Sequence, residues 1–216
     1  MTEQEAQLAA LARLIAESPH NLVSRADRAR IGTHHIRESV GVLEQLSATP
    51  GQRWMDLGTG GGLPGLVLAI RRPDVHWTLL DATHKKVVAV AEFADRLGLD
   101  NVATACGRAE VLAHDAAYRG AFDGVVARAL APLPVLIELA RGFLRDNGDL
   151  AAVKGPSWEE ELAAAQPALA LLRLEQLGAT RVDSAARPTW VVSMRAVGPP
   201  PPFFPRGDGV PRREPL

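Results

Sequence analysis

Residues 55–65 read Met-Asp-Leu-Gly-Thr-Gly-Gly-Gly-Leu-Pro-Gly, with five glycines between Gly58 and Gly65. Strand-like apolar residues precede this run, and a helical pattern follows it. Glycine permits positive φ and lets a ligand approach the main chain closely. A glycine-rich loop between a strand and a helix is typical of a nucleotide-binding pocket. Other features of the sequence are needed to infer which nucleotide such a pocket would bind.

The composition is that of an ordinary globular protein. The chain has 216 residues, of which 47% are hydrophobic and 23% charged, enough for one well-buried core. No apolar run reaches the roughly 20 residues that span a bilayer. The first five residues include two glutamates and lack the basic start and apolar core of a secretory signal. We therefore expect a cytoplasmic monomer that does not contact membranes.

Metal and disulfide chemistry are not expected. Cys106 is the only cysteine, which excludes an internal disulfide and a cysteine metal cluster. The histidines show no metal-ligand spacing. The net charge of −1 argues against wholesale nonspecific binding of nucleic acid, but a local basic patch among the 24 Lys and Arg residues stays possible.

Strand-like and helix-like patterns alternate from residue 51 onwards. Such alternation predicts βαβ units and an α/β fold with a mostly parallel sheet. Two later strand patterns, 175–182 and 189–197, are separated by too few residues for a crossover, so the sheet is expected to end in a reversed hairpin. The predicted parallel strands cover residues 53–57, 75–80, 101–106, 122–127 and 149–153.

Three segments differ in composition. Residues 1–50 carry helical apolar stripes and are expected to form an N-terminal helical extension. Residues 51–197 are the predicted ligand-binding domain. Residues 198–216 hold seven prolines and are expected to form an extended surface tail.

Two classes of cofactor fit the glycine loop. Residues 60–65 satisfy the dinucleotide pattern G-x-G-x-x-G, and Asp81 follows where a ribose-binding acid would lie. Residues 56–62 satisfy D-x-G-x-G-x-G, which resembles the first motif of class I methyltransferases that use S-adenosylmethionine (SAM). The carboxylate of Asp56 would repel a pyrophosphate but suits a ligand with a sulfonium and an ammonium group. SAM is therefore favoured over a dinucleotide, which stays a distant alternative, as does a glycine turn without a ligand.

Residues 107–110, Gly-Arg-Ala-Glu, follow the third predicted strand, where class I methyltransferases hold the adenine. Ala109 can offer a small wall and Glu110 a carboxylate to the base. Elsewhere these residues would indicate only a helix start whose acid favours the helix dipole. Their position after the third strand favours cofactor binding.

The exit of the fourth strand indicates the methyl acceptor. It lacks the Asp/Asn-Pro-Pro-aromatic motif of enzymes that methylate exocyclic amino groups, and Cys106 lies on the wrong strand for a cytosine-C5 nucleophile. Arg128 lies at this exit. Its guanidinium suits an acceptor such as guanine N7, which carries a lone pair and needs no deprotonation. An ion pair at a helix start is the alternative role for Arg128.

Together these features resemble the small-subunit ribosomal RNA methyltransferase G family, also called glucose-inhibited division protein B. The similarity spans roughly residues 20–213. The matching segments are Asn21-Leu22, His35-Ile36-Arg37-Glu38-Ser39, residues 56–65, Leu79-Leu80-Asp81 with Lys85-Lys86, residues 107–110, Phe122-Asp123 with Arg128-Ala129, Val153-Lys154-Gly155 and Phe204-Pro205-Arg206.

The resemblance implies a Rossmann-like class I SAM-dependent methyltransferase with a seven-stranded, mostly parallel sheet. It also implies methyl transfer to N7 of a guanine in the 530 loop of 16S rRNA, as free RNA or in the small ribosomal subunit. Two alternatives stay open, namely a family member with a changed acceptor and a nonenzymatic module that binds SAM or RNA.

The resemblance also assigns roles to individual residues. Catalytic roles fall on Arg128 and Lys154. Lys154 leaves the fifth predicted strand at the end where open α/β sheets bind ligands. The implied cofactor contacts are Gly58, Gly60, Leu63, Asp81, Ala109, Glu110 and Arg128, and the implied RNA contacts are Lys85, Arg108, Lys154 and Arg206.

Overall fold

The computed structural model describes residues 2–20, 22 and 30–216, so Asn21 of the first matching segment lies outside the described residues. The strands are β1 (Arg53–Leu57), β2 (His76–Asp81), β3 (Val102–Cys106), β4 (Phe122–Arg128), β5 (Leu144–Lys154), β6 (Leu174–Arg181) and β7 (Trp190–Ala196). They form a seven-stranded sheet in the order β3-β2-β1-β4-β5-β7-β6. β1 to β5 pair in parallel, whereas β7 is antiparallel to both β5 and β6. The predicted α/β fold with a reversed hairpin is confirmed.

Helices pack on both faces of this sheet, because consecutive strand residues point to opposite faces. Trp54 and Trp77 belong to one hydrophobic cluster. Met55, which follows Trp54 in β1, belongs to a second cluster on the other face together with Phe122. The helices are α1 (Glu3–Glu17), α2 (Arg37–Leu43), α3 (Gly65–Arg71), α4 (His84–Leu97), α5 (Ala109–Leu112), α6 (Leu133–Arg141), α7 (Trp158–Ala164), α8 (Gln166–Leu172) and α9 (Val210–Arg213), with a π-helical segment at Ile31–Ile36.

The N-terminal helix packs against the sheet domain. Thr2 and Glu5 form a capping box that begins α1, in which each side chain accepts a hydrogen bond from the other residue's backbone N–H. Leu11 and Ile15 are buried in the cluster that contains Trp54. The Gln7 side chain donates to the Leu97 carbonyl at 2.9 Å. An N-terminal helix is therefore present as expected, while the division of the chain into three segments stays a prediction.

The proline-rich tail is not simply extended on the surface. Pro205 and Pro211 are buried, and residues 210–213 form the helical turn α9. The Arg206 guanidinium pairs with the fully buried carboxylate of Glu138 on α6 at 2.7 Å. The expectation of an extended segment was wrong for this part, because buried contacts in the folded chain override the proline-rich composition.

The sheet brings the predicted site residues to one edge. β1 and β4 are neighbours, but the chain continues from them towards opposite sides of the sheet, to β2 and β5. Open α/β sheets bind ligands at such a switch point, beyond the carboxyl ends of the strands. Asp81, Arg128 and Lys154 are the last residues of β2, β4 and β5. No helix among the described residues is long and apolar enough to cross a membrane.

Candidate active site

The glycine loop after β1 is held by backbone hydrogen bonds. The N–H groups of Gly58 and Thr59 donate to the Leu80 carbonyl of β2 at 2.8 and 2.9 Å. Gly58, Gly60 and Gly62 have φ of 76°, 59° and 89°, a region that L side chains rarely adopt. The loop therefore requires glycine at these three positions.

The buried side chain of Asp56 stabilises this loop through hydrogen bonds. Its Oδ2 accepts hydrogen bonds from the Thr59 hydroxyl at 2.7 Å and from the Gly65 N–H at 2.9 Å. The side chain is fully buried, and this burial raises its pKa to about 6. Asp56 lines none of the three cavities described below. The interpretation that its carboxylate faces a cationic ligand is thus not supported, because the loop itself covers it.

Asp81, unlike Asp56, lines two of the cavities. It is 8% exposed, and its two oxygens accept from the N–H groups of Gly60 at 3.0 Å and Thr83 at 2.8 Å. A carboxylate oxygen can accept more than one hydrogen bond, so Asp81 retains capacity for further donors. Neighbouring ribose hydroxyls are donors of this kind.

Two cavities of about 230 and 270 Å³ flank Asp81. The smaller is lined by Ala109 and Glu110, and the larger by Gly60 and Leu63. All the predicted cofactor contacts therefore line one cavity or the other. The residues common to both cavities are Gly58, Asp81, Lys86 and Leu130.

Leu130 lies between these two cavities and against the glycine loop. A Cβ placed on Gly58 would lie only 2.6 Å from Leu130 Cδ1. A Cβ on Gly60 would meet no atom closer than 3.9 Å, so the backbone there faces open space. Bare backbone, a carboxylate with spare acceptor capacity and a small wall at Ala109 fit a nucleoside-bearing cofactor such as SAM.

A third cavity, of about 770 Å³, lies next to the one that contains Gly60. Arg128 and Ala129 line both of them. Arg128 Nη1 donates to Glu38 Oε2 at 2.6 Å and lies 3.3 Å from His35 Nδ1. Glu38 Oε1 accepts from the Thr189 hydroxyl at 2.9 Å. The ion pair considered as an alternative for Arg128 is present, and it lies in the wall between two cavities.

Lys154 lines the third cavity as a buried, paired cation. Its side chain is 8% exposed, and Nζ lies 2.7 Å from Glu161 Oε2. Nζ also donates to the Ala131 carbonyl, and Glu161 accepts from the Leu133 N–H at 2.8 Å. Lys154 therefore joins β5 to the segment that follows β4.

The other predicted RNA contacts fall in different places. Lys85 is exposed on α4 and lines none of the three cavities. Arg108 lies 3.0 Å from Glu110 and 2.8 Å from Asp208. Arg206 is bound to Glu138, and this hydrogen bonding raises the pKa of Arg206 above its ordinary value. The two arginines are therefore engaged with carboxylates of the same chain, which favours an anchoring role for them.

Several residues of the site were not predicted from the sequence. Lys86 lines both smaller cavities, Glu38 pairs with Arg128, and Thr189 donates a hydrogen bond to Glu38. Lys86 and Glu38 stand in segments that match the family, and an unassigned charge in such a segment is the signal that could have found them. Arg212, which lines the smallest cavity, gives no comparable signal in the tail. Among the described residues, no group of three His, Cys, Asp or Glu side chains could hold a metal ion.

Solved structures with the same fold define the class of protein. A SAM-dependent methyltransferase from Aquifex aeolicus has a TM-score of 0.60, with 17% identity over 88% of this chain and 98% of that one. The [4+2]-cyclase SpnF has a TM-score of 0.59, with 18% identity over 90% of this chain and 94% of that one. At such identities the likeness shows the fold alone, which is that of class I SAM-dependent methyltransferases.

Sequence relatives give the family. The family profile described as rRNA small subunit methyltransferase G matches residues 4–189. The protein of that name from Deinococcus radiodurans is 39% identical over 99% of this chain and 85% of its own length. The one from Sorangium cellulosum is 43% identical over 88% of this chain and 79% of its own. The chain belongs to the rRNA small subunit methyltransferase G family, and it is a methyltransferase whose cofactor is SAM.

Proposed function

We propose that the protein transfers a methyl group from SAM to N7 of a guanine in the 530 loop of 16S rRNA. The observation that carries this proposal is the shared wall of two cavities. Arg128 and Ala129 line both the cavity of the glycine loop and the cavity of about 770 Å³. A donor on one side and a base on the other would meet beside Arg128.

The residues of the two smaller cavities hold the cofactor in this proposal. The backbone at Gly58 and Gly60 and the Leu63 side chain adjoin its amino-acid end, and Asp81 accepts from the ribose hydroxyls. Ala109 and Glu110 adjoin the adenine. When bound, SAM supplies a methyl group made electrophilic by its sulfonium.

Methyl transfer to guanine N7 requires few catalytic groups from the protein. Guanine N7 has a lone pair, so no general base is needed, and catalysis depends on positioning and on exclusion of water. Methylation moves a positive charge from the cofactor to the purine. Arg128 donates to O6 beside N7, and Glu38 compensates its charge so that the purine can become cationic. Lys154, whose charge Glu161 compensates, fixes the segment after β4 through Ala131 and lines the cavity proposed for the base.

RNA would be recognised outside this cavity. The exposed side chain of Lys85 suits a phosphate contact, which positions the nucleic acid without reading its sequence. We infer that Arg108 and Arg206 serve RNA binding only indirectly, by anchoring the tail. We place the enzyme in the cytoplasm, acting as a monomer on 16S rRNA or the small ribosomal subunit.

The test is direct. Purified protein is incubated with methyl-labelled SAM and either naked 16S rRNA or small subunits that lack the modification, and the labelled base is mapped by nuclease digestion and mass spectrometry. We expect one 7-methylguanosine in the 530 loop. Label at another base or in another RNA would support the changed acceptor, and SAM binding without label would support the nonenzymatic module. The structure with the same fold named a cyclase illustrates that a fold does not determine the chemistry of its site. Methyl transfer therefore has to be measured in addition to SAM binding.

A further inference from the structure

The end of the proline-rich tail lies across the adenosine side of the cofactor site. Asp208 pairs with Arg108 at 2.8 Å, and the Gly209 N–H donates to Glu110 Oε1 at 3.1 Å. Four positions after Asp208, Arg212 Nη2 donates to the Leu130 carbonyl at 3.0 Å. Residues 208–212, which we call the clasp, thus contact three residues that line the cavity of about 230 Å³.

The clasp is held firmly from its N-terminal side. Arg206 binds the buried carboxylate of Glu138 through both Nε and Nη2, at 2.9 and 2.7 Å. The Arg119 guanidinium donates to the carbonyls of Pro201 at 2.6 Å and Phe204 at 3.0 Å. Because bidentate arginine contacts fix orientation as well as distance, the clasp has a defined position over the cavity.

Arg212 does more than tie the clasp down. It lines the 230 Å³ cavity together with Ala109 and Glu110. The carbonyl that it holds belongs to Leu130, whose side chain lies against Gly58 and lines both cofactor cavities. A guanidinium is planar and cationic, and it can lie on the face of a purine or donate to its ring nitrogens.

We propose that Arg212 is a cofactor-binding residue that contacts the adenosine part of SAM, and that the clasp is a wall of the cofactor site. The proposal rests on SAM binding by this site but not on the identity of the methyl acceptor. It extends the cofactor site from the glycine loop to the last residues of the chain.

The affinity of the full-length protein for SAM and for S-adenosylhomocysteine, measured by calorimetry, tests this proposal. Both ligands share the adenosine group, so Arg212→Ala should raise both dissociation constants about 10-fold, as expected for loss of a charged contact. Arg212→Lys keeps the charge but loses the planar fork, so it should recover only part of the affinity. Arg213→Ala is the matched control, because Arg213 is the next residue of α9 and does not line the cavity.

The outcomes separate this proposal from the proposed function. If wild type binds SAM and Arg212→Ala binds both ligands as tightly as Arg213→Ala does, Arg212 is not a cofactor-binding residue. The proposed function, methyl transfer to RNA, would not be affected by that result. If the wild type binds no SAM, the function itself fails. A melting temperature of the cofactor-free Arg212→Ala protein within a few degrees of that of the control shows that lost affinity is not lost folding. A large drop in melting temperature would instead make Arg212 a structural residue and overturn the proposal.

Discussion

The two sides of this site, to which we assign the cofactor and the methyl acceptor, are built from different chemical groups. The cofactor side depends mainly on the backbone of a short loop, with Gly58 and Gly60 at positive φ, and on the carboxylates of Asp81 and Glu110. The acceptor side depends on charged side chains in pairs, Arg128 with Glu38 and Lys154 with Glu161. Arg128 and Glu38 lie 90 residues apart in the sequence, whereas Lys154 and Glu161 lie only 7 residues apart.

The difference shows which property each side controls. A backbone cradle is complementary in shape to its ligand before the ligand arrives, so changes to it affect binding. Paired charges in a partly buried wall act on charge that develops during reaction, so changes to them affect turnover more than binding. Variants on the two sides should therefore fall into two kinetic classes.

The largest effect is expected at Gly58. Gly58→Asp puts a side chain at φ 76° and a Cβ 2.6 Å from Leu130 Cδ1, and both Gly58 and Leu130 line the two cofactor cavities. We expect SAM affinity to fall by about 1000-fold or more, since a blocked cavity and an added negative charge next to Asp81 both oppose binding. Calorimetry measures the dissociation constant.

Gly51→Asp is the control for backbone strain. Gly51 has φ 79°, but a Cβ there would meet no atom within 4 Å. The control should lose some stability and keep its SAM affinity. If Gly58→Asp bound SAM as tightly as Gly51→Asp, the assignment of the SAM site to the glycine loop would be wrong.

The next largest effect concerns stability and pH, at Asp56. Its pKa of about 6 in the folded protein lies above the ordinary value of 3.8, because the carboxylate is buried. The folded state therefore binds the proton more tightly than the unfolded state, and this contribution to stability is complete below pH 4 and is lost as the pH rises through 6. Its size is about 3 kcal/mol.

Asp56→Asn removes this titration while keeping an acceptor for Thr59 and Gly65. Between pH 4 and 7 the free energy of unfolding of wild type should fall relative to that of Asp56→Asn by about 3 kcal/mol. Denaturant unfolding of the cofactor-free proteins measures the difference. A difference that does not change with pH would mean that Asp56 stays charged when folded, and that the loop compensates its burial.

These two predictions concern the glycine loop, whose position between a strand and a helix was predicted from the sequence. The glycine loop lies where its contiguous motif predicts it, between β1 and α3, and Asp81 ends β2 beside it, while their contact with SAM stays a prediction. β2 begins one residue later than predicted, whereas β5 begins at Leu144 and not at residue 149. The added residues include polar, exposed positions and Asn147 at φ 58°, which local propensity does not assign to a strand.

The acceptor side was predicted less completely for a physical reason. A single sequence indicates that Arg128 will need a partner, but not which carboxylate the fold brings to it. Glu38 is 90 residues away in the chain. The same difficulty arises once on the cofactor side, where Asp208 is 100 residues from Arg108. Such partners follow from the packing of helices and tail on the sheet, which depends on the whole core and not on a local pattern.

A third effect separates turnover from binding. Arg128→Ala should lower kcat by about 100-fold, as for removal of one preorganised donor at a reacting centre. SAM affinity should change by less than about 3-fold, because most contacts on the cofactor side are made by other residues. Single-turnover methylation of unmodified small subunits and calorimetry measure the two quantities.

Arg195→Ala is the matched control for Arg128→Ala. Arg195 is another strand arginine in an ion pair, with Asp149 at 2.8 Å, but it lines none of the three cavities. It should lose a little stability and keep full turnover. Equal losses of activity in the two variants, matched by equal losses of stability, would reduce Arg128 to a structural ion pair.

The smallest effect is the most specific, because it concerns the charge of Glu38 and not its shape. Glu38→Gln keeps a hydrogen-bond acceptor for Arg128 or Thr189 but leaves the guanidinium uncompensated beside a purine that must become cationic. We expect kcat to fall about 10-fold with little change in SAM affinity. In the Arg128→Ala background the same change should cost almost nothing, because the charge to be compensated is gone. An equal loss in both backgrounds would mean that Glu38 acts on the substrate by itself. Unchanged kcat in the single variant would remove charge compensation from the mechanism and leave the pair as a support for the wall between the two cavities.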